Sequence, residues 1–220
     1  MYDERRRRRE PEVEVFNIEN WTPKTQIGQA VKSKKILTIE QIFESGKPIR
    51  EVEIVDALLP TLENKVVEVA SVQRMTKNNR RQKFRVTAIV GDGNGHVGIG
   101  TAKDVEAKPA IDAAIMNAKL NIMPVILGCG SWECACGTKH SLPLIVRGKC
   151  GTSEVILKPA PRGVGVVANE VVKALLGLAG VKDIWTFSRG RTRDIYNIAL
   201  ATQRALQKAA TIRNPQAIKD

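Results

Sequence analysis

Aromatic residues are scarce in this 220-residue sequence, which has three Trp, two Tyr and four Phe, or 4% of the chain. Proteins that bind single-stranded nucleic acid by stacking present several aromatic side chains to successive bases. The aromatic residues here are not arranged in that way. A base-stacking platform is therefore disfavoured, and a nucleic acid would be recognised by its shape and its phosphates.

Groups that carry catalysis are also few. The chain has two His, no G-x-S-x-G sequence, no Walker loop and no convincing carboxylate pair. Cys134 and His140 could act as nucleophile and base, but nothing in the sequence indicates an oxyanion site or a substrate pocket beside them. We predict that the protein is not an enzyme.

Long apolar runs are missing, and a stretch such as "ALLGLAGV" is much shorter than the about 18 residues of a membrane span. The acidic segment "EPEVEVFNIEN" stands where the apolar part of a secretory signal would have to lie. We therefore expect a cytoplasmic protein without membrane contact. In that compartment the four Cys are expected to be thiols or metal ligands and not disulfides.

Positive charge, in contrast, is abundant. The chain has 35 Lys and Arg against 23 Asp and Glu, a formal net charge of +12. Such an excess favours a polyanionic partner such as nucleic acid. Five consecutive Arg at residues 5–9 are typical of a disordered arm, whose charge either contacts phosphates or only aids solubility. We predict a basic, extended or disordered arm over residues 1–35.

The apolar periodicity changes from helical to alternating near residue 65. Helical spacing in "LTIEQIFESG", with Thr38 as its cap, and in "PIREVEIVDALLP", beginning near Pro48, predicts a helical extension over residues 36–65. Alternation in "KVVEVASVQRM", "QKFRVTAIVG" and "HVGIGTA" predicts three antiparallel strands. The segment "DVEAKPAIDAAIMNAKLNI" then predicts a helix capped by Asp104. Residues 66–122 should form one α+β domain with the helix that precedes them.

A second α+β domain is predicted over residues 123–210, followed by a tail over residues 211–220. Strands are expected in "HSLPLIVRGK", "TSEVILKPA" and "VKDIWTFS". A helix in "NEVVKALLGLAG" should begin after Asn169, and "DIYNIALATQRALQKAA" should form the last helix. Strands and helices mixed in this order are typical of an α+β fold.

The stretch "GDGNGHVGIG" contains G-x-G-x-x-G at Gly93, Gly95 and Gly98, the spacing of a dinucleotide-binding turn. Such a turn needs a helix to begin within the motif, because the pyrophosphate binds at that helix N-terminus. The residues that follow are Gly and β-branched residues, which are poor helix formers. Asn94-Gly95 between two alternating runs instead indicates a β-hairpin. We predict a hairpin here and no nucleotide cofactor.

Basic residues cluster in two regions. In "RMTKNNRRQKFR", Asn78 and Asn79 tolerate left-handed turns, so the loop can be tight and direct its cations outward. The second region groups "LKPAPRGVG" with "SRGRTR". Residues 158–165 should form a rigid loop with few side chains, so that a partner can approach its backbone closely. Arginine forks suit phosphates, although a solvated charged loop or a structural turn is the alternative. The predicted RNA-binding residues are Arg74, Lys77, Arg80, Arg81, Lys83, Arg85, Lys103, Lys158, Arg162, Arg189, Arg191 and Arg193.

Three of the four Cys and one of the two His lie within twelve residues, in "GCGSWECACGTKHSLP". Tetrahedral zinc takes this ligand set, although the spacing is not that of a C-x2-C knuckle. The candidate ligands are Cys129, Cys134, Cys136 and His140, with Cys150 as an alternative fourth ligand. The sequence therefore leaves open either one structural zinc ion or a group of inert thiols in a turn beside Trp132.

Three long stretches of the chain resemble the universal small-subunit ribosomal protein of the S-five family, in its archaeal form. They are "FRVTAIVGDGNGHVGIGTAKDVEAKPAIDAAIMNAKLNI", "VRGKCGTSEVILKPAPRGVGVV" and "LLGLAGVKDIWTFSRGRTRDIYNIALATQRAL". The resemblance covers roughly residues 36–210. It implies an α+β fold in which a double-stranded-RNA-binding-like α-β-β-β-α domain precedes a second α+β domain of the left-handed βαβ type.

The resemblance also implies a function: a structural constituent of the small ribosomal subunit that binds ribosomal RNA and supports decoding accuracy and messenger entry. Residues 77–85 match the family's RNA-reaching hairpin, and Asn94, residues 159–163 and Asn197 match by position. The implied partners are small-subunit ribosomal RNA, messenger RNA near the entry channel, and neighbouring proteins of the S-four and S-eight families. The alternative is a free-standing RNA-binding factor in RNA processing or translational control. Many family members lack the cysteine set, so membership does not imply zinc.

Overall fold

Two four-stranded sheets with flanking helices make up the fold in the computed structural model, which describes residues 21–134 and 136–211. Before the first sheet come α1 (Gln26–Lys32), α2 (Ile39–Glu44) and α3 (Val52–Leu58). The first sheet consists of β1 (Glu63–Met75), β2 (Arg80–Gly91), β3 (His96–Asp104) and β4 (Ile122–Pro124), with α4 (Ala107–Leu120) between the last two. The second consists of β5 (Val146–Cys150), β6 (Ser153–Pro159), β7 (Val166–Val167) and β8 (Ile184–Arg189), with α5 (Glu170–Leu178) and α6 (Ile195–Thr211). The predicted two-domain α+β fold is confirmed.

The first sheet has the order β1-β2-β3-β4 and is antiparallel throughout. Helix α3, the first three strands and α4 follow the predicted α-β-β-β-α order. Strand β4 was not predicted, because the closing helix was expected to continue to Ile122. Pro124 ends this edge strand, where a residue without an N–H is tolerated.

Helix α4 packs against β3 through small residues on both elements. Ala110, Ala114 and Ala118 recur every four residues and are buried, so they form one stripe along the helix. They face Gly98 and Gly100 of β3, where an added Cβ would collide with backbone atoms of the helix. Gly98, which completes the G-x-G-x-x-G spacing, and Gly100 therefore serve close helix–sheet packing.

The turn between β2 and β3 is the predicted hairpin. The carboxylate of Asp92 accepts the N–H groups of Asn94 at 2.8 Å and His96 at 3.0 Å, and Gly93 and Gly95 have φ values of +70° and +105°. The chain then continues as strand β3 and not as a helix. A dinucleotide-binding turn is therefore absent from this hairpin.

This hairpin also joins the two domains. The N–H of Gly93 donates to the carbonyl of Leu178 at the end of α5, at 2.9 Å, and Val125 N–H donates to the carbonyl of Gly95 at 2.6 Å. The largest apolar cluster contains Ile89 from the first sheet together with Leu157 from the second. The two sheets therefore share one core, which fixes the position of one domain against the other.

In the second sheet the order is β5-β6-β8-β7. The β6–β8 pair is antiparallel, and β7 and β8 are parallel strands connected through α5. Helix α5 begins after Asn169, as predicted. Strand β7 was not predicted, because two residues carry no readable alternation.

Four local expectations are wrong. Residues 21–35 were expected to be extended but contain α1, whose Val31 packs with Trp21 in a small core. The rest of the predicted arm, residues 1–20, and the predicted tail beyond residue 211 lie outside the described residues. Helix α3 begins at Val52 and not near Pro48. Asp104 ends β3 instead of capping α4. Residues 140–145 precede β5 without forming a strand, and Ser141 makes only an isolated bridge with Gly128.

Candidate nucleic-acid interface and metal centre

The first basic cluster lies on a two-stranded ribbon that extends past the rest of its sheet. Strand β2 pairs with β3 only between Phe84 and Gly91, but it pairs with β1 as far out as Arg80. Residues 72–75 and 80–83, with the turn that joins them, therefore project as a hairpin covered by no third strand. We call residues 72–83 the basic hairpin. Its five predicted RNA-binding residues, Arg74, Lys77, Arg80, Arg81 and Lys83, are all exposed.

The turn of the basic hairpin is closed by a backbone hydrogen bond together with side-chain hydrogen bonds, and its Asn residues are not left-handed. Thr76 N–H and Oγ1 both donate to the carbonyl of Asn79, at 3.0 and 2.6 Å, and the Asn79 side chain accepts the N–H of Arg80 at 2.7 Å. Asn78 and Asn79 both have negative φ, so the left-handed conformation that they tolerate is not used. The turn is nevertheless tight, as the sequence predicted.

Positive charges face each other across the basic hairpin. Arg74 and Arg81 are directly opposite partners in the ladder between β1 and β2. Like charges placed directly opposite destabilise a strand pair, so this arrangement costs free energy until an anion neutralises it. Arg85 differs, because it is half-buried and its guanidinium lies 3.6 Å from the carboxylate of Glu68. Lys103 is exposed and pairs with Arg85 across β2 and β3, next to the base of the hairpin.

The second predicted basic set is divided by the sheet topology. Because β6 and β8 are antiparallel, Lys158 and Arg162 lie at the end of the sheet where β8 begins, and Arg189 lies at the opposite end. Four residue steps along the ladder, roughly 13 Å, separate Lys158 from Arg189, and Arg162 lies farther away in the loop that follows β6. Arg162, Arg189, Arg191 and Arg193 are all exposed. The expectation that "LKPAPRGVG" and "SRGRTR" form one set is wrong, since antiparallel pairing sends their loops to opposite edges.

Lys158 and Asn94, also predicted to bind RNA, have different surroundings. Lys158 is half-buried, and its ammonium lies 4.7 Å from the centre of the Phe187 ring, a cation–π contact within the protein. Asn94 is exposed at the tip of the β2–β3 hairpin, beside the contact between the domains. We call residues 160–165, which carry Arg162, the Arg162 loop.

The four predicted metal ligands are brought together before β5. Their candidate ligand atoms all lie within 4.8 Å of one another, with 3.5 Å between the sulfurs of Cys129 and Cys136 and 3.7 Å between Cys134 Sγ and His140 Nε2. We call these four residues the Cys/His site. Cys150 is not part of it: this buried residue points toward Asn197 at 3.7 Å, in the core of the second domain.

The thiols of the Cys/His site differ in their proton affinity. The Thr138 hydroxyl, which donates to Cys136 Sγ at 3.2 Å, is the main cause that lowers the pKa of Cys136 to about 6, and a hydrogen bond with Cys134 adds to it. Removal from water, followed by the hydrogen bond with Cys136, raises the pKa of Cys129. The lowered pKa favours the thiolate of Cys136, the form in which cysteine binds metals.

A buried carboxylate completes this centre. Asp183 Oδ2 lies 2.8 Å from His140 Nδ1, and both residues are 5% exposed. Burial acts to raise the pKa of Asp183, but hydrogen bonds from Gly165, Gly163 and His140 outweigh it and lower the pKa. Asp183 was not predicted as a site residue, because 43 positions separate it from His140 and no local pattern marks it.

Sequence comparison identifies the family of this chain. The model described as "Ribosomal protein S5, N-terminal domain" matches residues 62–126, and the one described as "Ribosomal protein S5, C-terminal domain" matches residues 148–219. The chain belongs to the ribosomal protein S5 family. The S5 matches include the basic hairpin and the Arg162 loop, whereas the Cys/His site falls between them.

Relatives within the S5 family are similar over most of the chain. The "Small ribosomal subunit protein uS5" of Methanocaldococcus jannaschii is 55% identical over 192 residues, 87% of this chain and 88% of that protein. The protein of the same name from Aeropyrum pernix is 52% identical over 196 residues, covering 89% and 90% of the two chains. In the part of this S5-family chain that the structure describes, no helix is both long enough and apolar enough to cross a membrane.

Proposed function

We propose that this chain is a structural, non-enzymatic constituent of the small ribosomal subunit that binds ribosomal RNA through the basic hairpin. The observation that carries the proposal is a two-stranded ribbon with five exposed cations and with Arg74 directly opposite Arg81. Such a ribbon is stabilised when phosphates neutralise its charges. The names of its S5-family relatives agree with this assignment.

RNA contacts at several separated points fit the same assignment. The exposed Arg162 lies at one end of the second sheet and the exposed residues Arg189, Arg191 and Arg193 lie at the other, so they would reach different RNA segments. In this role the protein supports decoding accuracy and messenger entry. Its further partners are messenger RNA near the entry channel and neighbouring proteins of the S-four and S-eight families.

Sedimentation tests the ribosomal role against the alternative of a free-standing RNA-binding factor. We expect the protein to co-sediment with small subunits from cell extract at one copy per subunit, after washing at moderate salt. A factor for RNA processing or translational control would be substoichiometric there and would remain largely in slower fractions. That distribution would contradict the ribosomal proposal while leaving RNA binding intact.

We further propose that the Cys/His site holds one structural zinc ion. Zinc–sulfur bonds of about 2.3 Å in a tetrahedron separate neighbouring sulfurs by about 3.8 Å. The 3.5 Å between the sulfurs of Cys129 and Cys136 is close to this spacing. The 3.7 Å between Cys134 Sγ and His140 Nε2 is close to the about 3.6 Å that a zinc–nitrogen bond of about 2.0–2.1 Å gives for a sulfur–nitrogen pair. The hydrogen bond from the imidazole to Asp183 is the outer contact typical of zinc-binding histidines. Four protein ligands close the site, so a bound ion would have a structural role.

Metal analysis of the purified protein tests the zinc proposal. We expect about one zinc ion per chain, and a loss of most of it in Cys134→Ser, because a hydroxyl is a much poorer ligand than a thiolate. The matched control is Cys150→Ser, which removes a thiol outside the site and should retain zinc. Absence of stoichiometric zinc, or an unchanged content in Cys134→Ser, would reject the site.

A further inference from the structure

Asp183 connects the Cys/His site to the Arg162 loop through its two carboxylate oxygens. Oδ2 lies 2.8 Å from Nδ1 of His140, while Oδ1 accepts the N–H groups of Gly163 at 3.0 Å and Gly165 at 2.8 Å. The carbonyl of His140 in turn accepts the N–H groups of Lys182 and Asp183. One buried side chain is therefore shared by a candidate metal ligand and a loop that carries an exposed arginine.

On the metal side, the carboxylate determines which imidazole nitrogen is available. A carboxylate accepts hydrogen bonds only, so it retains the imidazole proton on Nδ1 and leaves the lone pair of Nε2 free. Nε2 is the atom that faces Cys134 Sγ in the Cys/His site. A cation bound at Nε2 withdraws electron density from the ring, which strengthens the Nδ1–H donor toward Asp183.

On the loop side, the Asp183 carboxylate binds the backbone of two glycines. Gly163 and Gly165 have φ values of +95° and +75°, and a Cβ added at either position would meet nothing within 4 Å. The space at both positions is therefore open, and it is the left-handed φ that favours glycine there. The N–H groups of both glycines are held by the ionised Asp183, and hydrogen bonds to a charged acceptor are the stronger kind. The carbonyl of Gly165 also accepts the N–H of Ile184 at 3.1 Å. Arg162 lies directly before Gly163, so its direction depends on the same contacts.

We infer that Asp183 is a positioning residue that couples the Cys/His site to the Arg162 loop, so that metal binding and RNA binding strengthen each other. The inference rests on the proposed zinc site and on the proposed RNA contact of Arg162. The linkage is reciprocal: if zinc tightens RNA binding by some factor, RNA tightens zinc binding by the same factor.

The test is a thermodynamic cycle on the full chain with zinc and transcribed small-subunit ribosomal RNA. We expect the zinc-loaded protein to bind this RNA at least about fivefold more tightly than the protein stripped by a chelator, and the zinc affinity to rise equally when RNA is present. Equal RNA affinities of the two forms would overturn the inference. Stoichiometric zinc and salt-dependent RNA binding would then still stand, so that this failure is distinct from failure of the proposed function.

Hydrogen exchange on the same two forms separates coupling from unfolding. Removal of zinc should speed exchange at the amides of Gly163 and Gly165 at least about tenfold, while the amides of β2 and β6 retain their protection. If removal of zinc speeds exchange equally throughout both sheets, or leaves the two glycine amides unchanged, Asp183 does not transmit a specific effect and the inference fails.

Asp183→Asn isolates the contribution of the carboxylate. The asparagine side chain has the size of the aspartate, but its NH2 group would donate to His140 Nδ1. This favours the tautomer with the proton on Nε2, and a protonated Nε2 cannot bind a metal. We expect zinc affinity to fall about 10- to 100-fold and the zinc-dependent gain in RNA affinity to disappear. The matched control is Asp112→Asn on the exposed face of α4, which should change neither quantity. An unchanged zinc affinity and an unchanged gain in Asp183→Asn would contradict the proposed role.

Discussion

Replacing Arg80, Arg81 and Lys83 together by Gln should weaken binding to small-subunit ribosomal RNA about 100-fold, on the basis of about 1 kcal/mol for each lost phosphate contact. The reason is that these exposed residues lie where the basic hairpin has no third strand beside it and can approach phosphates directly. Each lost contact should also reduce the slope of log affinity against log salt by about one. Binding measured between about 50 and 200 mM salt gives both quantities.

A matched triple variant shows whether position or only net charge determines this loss. Lys34, Lys65 and Lys173 are exposed, lie outside the basic hairpin and the predicted RNA-binding set, and carry the same total charge. Their replacement by Gln should change the affinity by less than about fivefold. An equal loss in both triple variants, or an unchanged salt slope in the first, would show that the hairpin does not contact RNA specifically.

Gly100→Ala should lower the free energy of unfolding by about 2–3 kcal/mol, the upper part of the range for overpacking a tight core. The added Cβ would collide with the carbonyl of Ala114 and the N–H of Ala118, both backbone atoms that cannot move without shifting α4. A thermal melt of a chain of this size should shift down by roughly 4–12 °C. The effect should be nearly independent of salt, because it involves no charge.

Gly177→Ala is the corresponding control. Gly177 lies exposed within α5, and an added Cβ there would meet nothing within 4 Å. Alanine should therefore stabilise the protein by about 0.5–1 kcal/mol through its higher helix propensity. If both alanine variants were equally stable, the close approach of β3 to α4 would not contribute to the fold as the structure indicates.

Local signals account for part of the stretch "GDGNGHVGIG". Asn94-Gly95 between two alternating runs predicted the hairpin, and the helix-breaking residues after it excluded a dinucleotide turn. Both conclusions depend on neighbouring residues only. The reason for Gly98 and Gly100 lies elsewhere in the chain, because both contact α4, and the N–H of Gly93 also donates to Leu178 of the second domain. A sequence pattern does not contain these contacts.

In the basic regions, too, local signals predicted one part and the sheet register decided the rest. The sequence predicted a tight basic loop between β1 and β2, since turn residues between two alternating runs are a local signal. It did not show that this loop extends past β3, because the extension depends on where β3 ends in the register. It also grouped Arg162 with Arg189 by charge, and the antiparallel pairing of β6 and β8 separates them.

The sequence by itself determined the two α+β domains, the hairpins and the presence of a Cys/His cluster, because periodicity, turn residues and ligand spacing act over a few residues. Only the tertiary structure decided that Cys150 lies apart from the cluster, and that Asp183 joins His140 to Gly163 and Gly165. These partners are 18 to 43 positions from Asp183. Packing of the second sheet and its connections brings them together, and no residue near Asp183 in the sequence specifies that contact.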